Sequence, residues 1–242
     1  MSELQNSDLE GDVLPSVIKD VPVTFTGRVE LHPAAGVLPI MLNGSDITSK
    51  LWQLAGAFDD SKLGVKIIKE TNTAWGTADA IVMTVKHEFL ERPMVREILL
   101  VGQGGPLISV MHNVEFYLKK PYRKQGIGAY SLALEAMAAS QLQFAKIVAN
   151  AANHPDVGWV VWPKLGYDAI IDDDILQKMR AELDAIGMPH HPGTLRISDL
   201  WDIDRYDLWE TYGAGCIMEF DVSSADTWSM KRIAEVIGNE DE

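Results

Sequence analysis

The sequence predicts a mixed α/β fold with a mostly antiparallel sheet, on three observations. Four β-rich segments follow one another at 65–70, 78–87, 95–101 and 107–119, with turns at 71–76 and 102–106 between them, as hairpins require. The last of these enters a glycine turn, a helical pattern and then a further strand candidate at 146–151 (KIVANA). That order makes a βαβ crossover with a parallel pair. Past Asp172 the periodicity becomes helical, so a C-terminal extension follows the sheet.

In chain order, residues 1–20 are polar and acidic without a sustained period and read as a mobile arm. Residues 21–170 form the core, opening with a strand over 21–31, where Val21, Val23 and Phe25 alternate. Ser45 or Asp46 caps a helix over 47–58 with Trp52 and Leu54 in the core. After the four strands, a helix over 126–142 sets Ile127, Tyr130, Leu134 and Met137 on one stripe. The run 157–162 (VGWVVW) is β-branched and aromatic and reads as strand rather than helix.

Residues 171–242 form the extension. A helix over 175–186 starts on the acids Asp172–Asp174, which its N-terminus favours, and stops at Gly187. An amphipathic helix or two short turns cover 197–212, a last strand 217–222 and a final helix 228–237, before a short acidic tail.

Composition excludes several classes. The chain has 242 residues, 47% of them hydrophobic, with a net charge of −14 and one cysteine, Cys216. An intrachain disulfide is impossible, and a reducing, cytoplasmic setting is expected. The acidic balance opposes extended binding to a nucleic-acid backbone, and no apolar run is long enough for a membrane helix. His190 and His191 lack further ligands at zinc spacing, and the three acids at 172–174 read as a helix start, so no metal is expected.

The chemistry concentrates in residues 114–134, VEFYLKKPYRKQGIGAYSLAL. Gly126 and Gly128 carry no side chain, so the N–H groups of Gln125, Gly126, Ile127, Gly128 and Ala129 can converge on an anion at a helix N-terminus. Arg123 and Lys124 add charge at the same mouth. The pattern suits a diphosphate, yet Ser131 stands where a dinucleotide fingerprint needs its third glycine. No Gly-Lys-Ser/Thr follows, as a P-loop would need.

The turn Arg123-Lys-Gln-Gly126-Ile-Gly128, preceded by Pro121-Tyr122, resembles the coenzyme A motif of the GNAT superfamily of N-acetyltransferases. Leu165-Gly166-Tyr167 echoes the Leu-Gly-Phe of that family, and the likeness spans residues 65–167, as in a divergent branch. It implies a GNAT-like mixed sheet with helices on both faces, and two parallel strands that splay to admit the pantetheine arm. Phe116, Tyr117 and Leu118 would present backbone groups to that arm. It further implies acetyl-coenzyme A as acyl donor and direct attack on the thioester by an amine acceptor, a small molecule or a protein.

The sequence departs from the family where a Tyr often protonates the leaving thiolate, because that position holds Trp162. Tyr167 and Tyr130 are the candidate substitutes. Glu115 and His112 are the candidate bases; three positions apart on a regular strand, they would face opposite sides. A catalytically inactive binding or scaffold protein on the same fold is the alternative to an enzyme.

Overall fold

The computed structural model describes residues 23–73, 76–101, 108–153 and 156–238. The elements are β1 (Glu30–Pro33), a small hairpin of β2 (Met41–Leu42) and β3 (Ser45–Asp46), α1 (Leu51–Leu54), β4 (Lys62–Thr73), β5 (Gly76–Lys86), β6 (Met94–Val101) and β7 (Ile108–Glu115). Next come α2 (Ile127–Gln141), β8 (Lys146–Asn150), α3 (Gly158–Lys164), α4 (Asp173–Ala185), α5 (Ile197–Asp202), α6 (Tyr206–Tyr212), β9 (Ile217–Phe220) and α7 (Trp228–Gly238).

Seven strands form one sheet in the order β1-β4-β5-β6-β7-β8-β9. The pairs β1/β4 and β7/β8 are parallel and the other four antiparallel. The four central strands and the βαβ crossover are present in the expected order. However, β7 ends at Glu115 rather than 119, and β4 runs on to Thr73 through part of the expected turn at 71–76. The arm at 1–20, the turn at 102–106 and the acidic tail lie outside the described residues.

Alternation sorts the sheet into two faces. Leu63, Val65, Ile81, Met83, Ile98, Met111, Ile147 and Phe220 share one core with the buried residues of the helices. Ala80, Val82, Leu99, Val110 and Val148 form a second cluster on the other face, with no helix residue among its described members. Helix cover was expected on both faces and, among the described residues, is found on one. The crossover, α1 and α7 all stack on that side, because α2 packs against both of those helices.

Four local expectations are corrected. The strand over 21–31 shrinks to Glu30–Pro33, since Asp59 takes up the segment before it through Thr24, Thr26 and the Arg28 N–H. The helix over 47–58 shrinks to a 3-10 turn and α1. Gly56 ends it at φ +58°, where a Cβ would lie 2.6 Å from the Ser131 carbonyl oxygen. Rather than one apolar stripe, α2 buries residues all round, Ser131 and Glu135 included.

The run 157–162 is helical, not extended. Tertiary partners override its β propensity: Trp209 Nε1 donates to the Trp159 carbonyl at 2.7 Å, and the Tyr206 hydroxyl to that of Val160 at 2.7 Å. The stretch 197–212 resolves into the two short helices α5 and α6. Strand β9 hydrogen-bonds to β8, so the extension completes the sheet as well as flanking it.

Candidate functional site

Strand β7 organises the site, and its neighbours pair with it unevenly. On the β6 side, Arg96 faces Asn113 and Val95 faces Glu115, so Val114 is an extra residue, a β-bulge. On the β8 side the parallel pairing runs from Val110/Lys146 to Asn113/Ala149 and stops there. Beyond that point β7 continues with β6, and β8 with β9, the two strands having separate partners.

The bulge corrects an expectation. His112 lies opposite Glu97 and Glu115 opposite Val95, both on the helix-free face, because the extra residue resets the alternation. The two candidate bases therefore share a side of the sheet. Glu115 is half-buried and lies 3.5 Å from Arg92.

Past β7, Phe116 packs against the core. The Tyr117 carbonyl accepts from Glu91 N–H at 2.8 Å, and Leu118 bridges to Leu90. Tyr117 also carries Arg92 over its ring at 3.6 Å. Arg123 folds back: its Nε donates to the Leu118 carbonyl at 2.7 Å and its terminal nitrogen to Glu91 at 2.9 Å. It pins the strand exit, while Lys120 and Lys124 enter no ion pair among the described residues.

Gln125 donates to the Pro121 carbonyl at 2.6 Å and closes the turn. Gly126 takes φ +72°, open to glycine at little cost. No side chain caps α2, so the first N–H groups of the helix, among them those of Ile127, Gly128 and Ala129, have no capping partner. Ile127 and Ala129 themselves point into the core. A Cβ on Gly128 would meet the Phe116 ring at 3.2 Å, so the glycine is needed for close approach of helix and strand.

Two rungs of the β6–β7 ladder carry polar groups on opposite faces. On the core side, Arg96 and Glu135 of α2 are within 3.3 Å, and Asn113 Nδ2 donates to Glu135 at 3.0 Å and to the Tyr167 hydroxyl at 2.6 Å. All four are buried, and Asn113 Oδ1, Glu135 Oε1 and one terminal nitrogen of Arg96 have no hydrogen-bond partner there. Burial pushes the Glu135 carboxyl up to about 7 against the opposing pull of Arg96. It likewise raises the Tyr167 hydroxyl well above the ordinary phenol range. Tyr167 thus sits in the interior, its ring 4.9 Å from that of Trp162, and is not brought to Glu115's face. Tyr130 is buried against Phe25.

On the other side, His112 Nδ1 and Glu97 are 3.0 Å apart and line a cavity of about 320 Å³ with Thr71, Asn72, Thr73 and Asn150. Glu97 and the end of β4 escape sequence reasoning. A charge inside VREILLV marks a half-exposed face, but only the register brings it to His112. The last three residues of β4, Thr71, Asn72 and Thr73, line the cavity beyond a register slip between Ile68 and Thr71, with Glu70 at φ +52°.

Among the described residues no group of three or more His, Cys, Asp or Glu side chains is placed to hold a metal ion, and no helix is long and apolar enough to cross a membrane. Asp172, Asp173 and Asp174 start α4. Compared with known proteins, the chain matches no family model and no curated protein.

Proposed function

We propose that the chain is an acyl-coenzyme A-dependent N-acyltransferase of GNAT type, transferring an acyl group, acetyl in the simplest case, to an amine by direct attack on the thioester. One observation carries the reading: a bulged strand parts from its parallel neighbour and runs through a left-handed glycine turn into an uncapped helix. The uncapped N–H groups and the positive end of α2 favour the diphosphate, with Lys120 and Lys124 beside it. The gap beyond Asn113 and Ala149 receives the pantetheine arm, and strand N–H groups left by the parting hold the developing oxyanion.

The alternative, a catalytically silent binding protein on this fold, is favoured by the enclosure of Tyr167 and by the pairing of Arg123 with Glu91. Calorimetry with acetyl-coenzyme A tests the shared premise. Wild type is expected to bind, and Gly128→Val, checked for a native circular-dichroism spectrum, to lose at least a hundredfold in affinity. The valine presses on Phe116 and fills diphosphate space. No heat from wild type, or equal affinity in a folded variant, overturns the reading. Binding without thiol release to any amine selects the silent alternative.

A further inference from the structure

The helix-free face is aliphatic at its centre, whereas the water side of an antiparallel sheet is ordinarily polar. Ala80, Val82, Leu99, Val110 and Val148 are each 5% exposed or less, although no helix covers them among the described residues. The cavity on this face identifies what shields them. Thr71, Asn72 and Thr73 at the end of β4 line it together with Asn150 of β8 and Ile217 of β9. In the sheet order β4 and β9 are five strand steps apart, about 24 Å at the usual spacing. One cavity of about 320 Å³ does not span that distance in the plane of the sheet, so the end of β4 bends over the face.

Local structure supplies the bend. Between the pairs Ile68/Ala80 and Thr71/Ala78, β4 carries one residue more than β5, a bulge, and Glu70 there takes φ +52°. Beyond it, Thr71, Asn72 and Thr73 pair with Ala78, Thr77 and Gly76. On either flank the sheet has already stopped: β1 pairs with β4 up to Val65, and β6 pairs with β5 from Asp79 onward. The end of the hairpin is thus a two-stranded ribbon, a form that is marginal alone and needs a surface to rest on. Ala78, on the same side of β5 as Ala80, is 4% exposed. Asp79 stands at the base of the ribbon and accepts from Lys69 Nζ at 2.6 Å and from the Glu70 N–H at 3.1 Å.

We propose that this ribbon, Thr71–Thr73 with Gly76–Ala78, is a hinged flap, that it is the occupant of the aliphatic face, and that Asp79 latches it. Elements that move are drawn from the least stable parts of a fold, and a bulged ribbon without sheet partners on its flanks is such a part. Its described side chains are threonine, asparagine and alanine, so lifting it uncovers the strip without exposing a core of its own. Lifting it also opens the cavity that holds Glu97 and His112. The flap is independent of the function proposed above, since no donor or acceptor enters its geometry.

The test puts a spin label on the ribbon through Asn72→Cys, in a Cys216→Ser background, and follows methyl signals by NMR in the full chain. Broadening of the Val110 and Val148 methyls is expected, with Leu183 on the helix side spared. Sharp Val110 and Val148 signals overturn the flap as the occupant of this face. The latch is then removed by Asp79→Ala. The broadening is expected to weaken, an apolar dye to gain fluorescence, and the ribbon amides to exchange hydrogen roughly tenfold faster or more, while Ile98 and Met111 in the neighbouring strands stay as they were. Unchanged broadening and exchange in Asp79→Ala overturn the hinge. An equal rise in exchange at Ile98 and Met111 overturns it too, because the whole sheet has then loosened rather than the ribbon alone.

Discussion

Neighbouring rungs of the β6–β7 ladder put similar chemistry into opposite surroundings. Arg96 and Asn113 face the core with Glu135 and Tyr167, whereas Glu97 and His112, one step along, face a water-accessible cavity. The inner group is 1% exposed at Arg96 and 0% at Glu135. The outer pair keeps about a quarter of each side chain accessible. An ion pair in the interior must satisfy its own charges, since the cost of removing them from water is several kcal/mol per ion. The outer pair, partly in contact with water, escapes most of that cost. Burial, rather than residue type, separates the two pairs.

The largest expected effect tests that separation through stability. Arg96→Ala removes the cation paired with a buried carboxyl and opens a void, so a loss of about 3–5 kcal/mol is expected in urea denaturation at neutral pH. Glu97→Ala on the outer rung is expected to cost less than about 1 kcal/mol. Equal losses would break the comparison and make the outer pair part of the scaffold.

The sequence made one of these rungs partly legible and hid the other. The glycine turn could be read because Gly126 must reach a backbone region closed to most side chains, and the central strands because each alternates against a core. The bulge at Val114 could not be read: it is a mismatch between two strands, and either strand alone looks regular. That mismatch turned Glu115 onto the face of His112. The inner cluster was hidden for a related reason. Arg96 alternates in an apolar strand and Glu135 sits in an alanine-rich helix, so each alone reads as a solvated charge. Only the packing of α2 on the sheet makes them partners. The α3 segment misled because its β-branched and aromatic residues follow their contacts with α6, not their propensity.

The second prediction sharpens the comparison through pH. Glu135 is raised from 4.5 to about 7 by burial, with Arg96 opposing. The folded protein therefore holds that proton more tightly than the unfolded chain. The contribution of the group to stability is full below pH 4.5 and is lost as pH rises to about 7. Wild type measured against Glu135→Gln, which cannot titrate, should lose relative stability across that window. A relative gain instead would mean that the attraction of Arg96 outweighs burial, and that the inner pair is ionised like the outer one.

The smallest expected effect concerns Tyr167, the residue whose place in the sequence suggested an acid. Its hydroxyl receives one hydrogen bond, from Asn113 at 2.6 Å, and its ring packs edge-on against Trp162 and Phe220. Tyr167→Phe keeps both ring contacts. One N–H of Asn113 Nδ2 stays bonded to Glu135 while the other loses its partner, so the loss should be about 1–3 kcal/mol. As an acid the phenol would have to become a phenolate inside the core beside a carboxyl, which its raised pKa opposes. Thiol release with a primary amine should then be the same in Tyr167→Phe as in wild type. A fall of about 10² or more, the usual worth of a general acid, with acetyl-coenzyme A affinity unchanged, would put the proton source on the inner rung. The two faces of β7 would then share the chemistry, and the division between scaffold and site would move from the sheet to Asn113 itself.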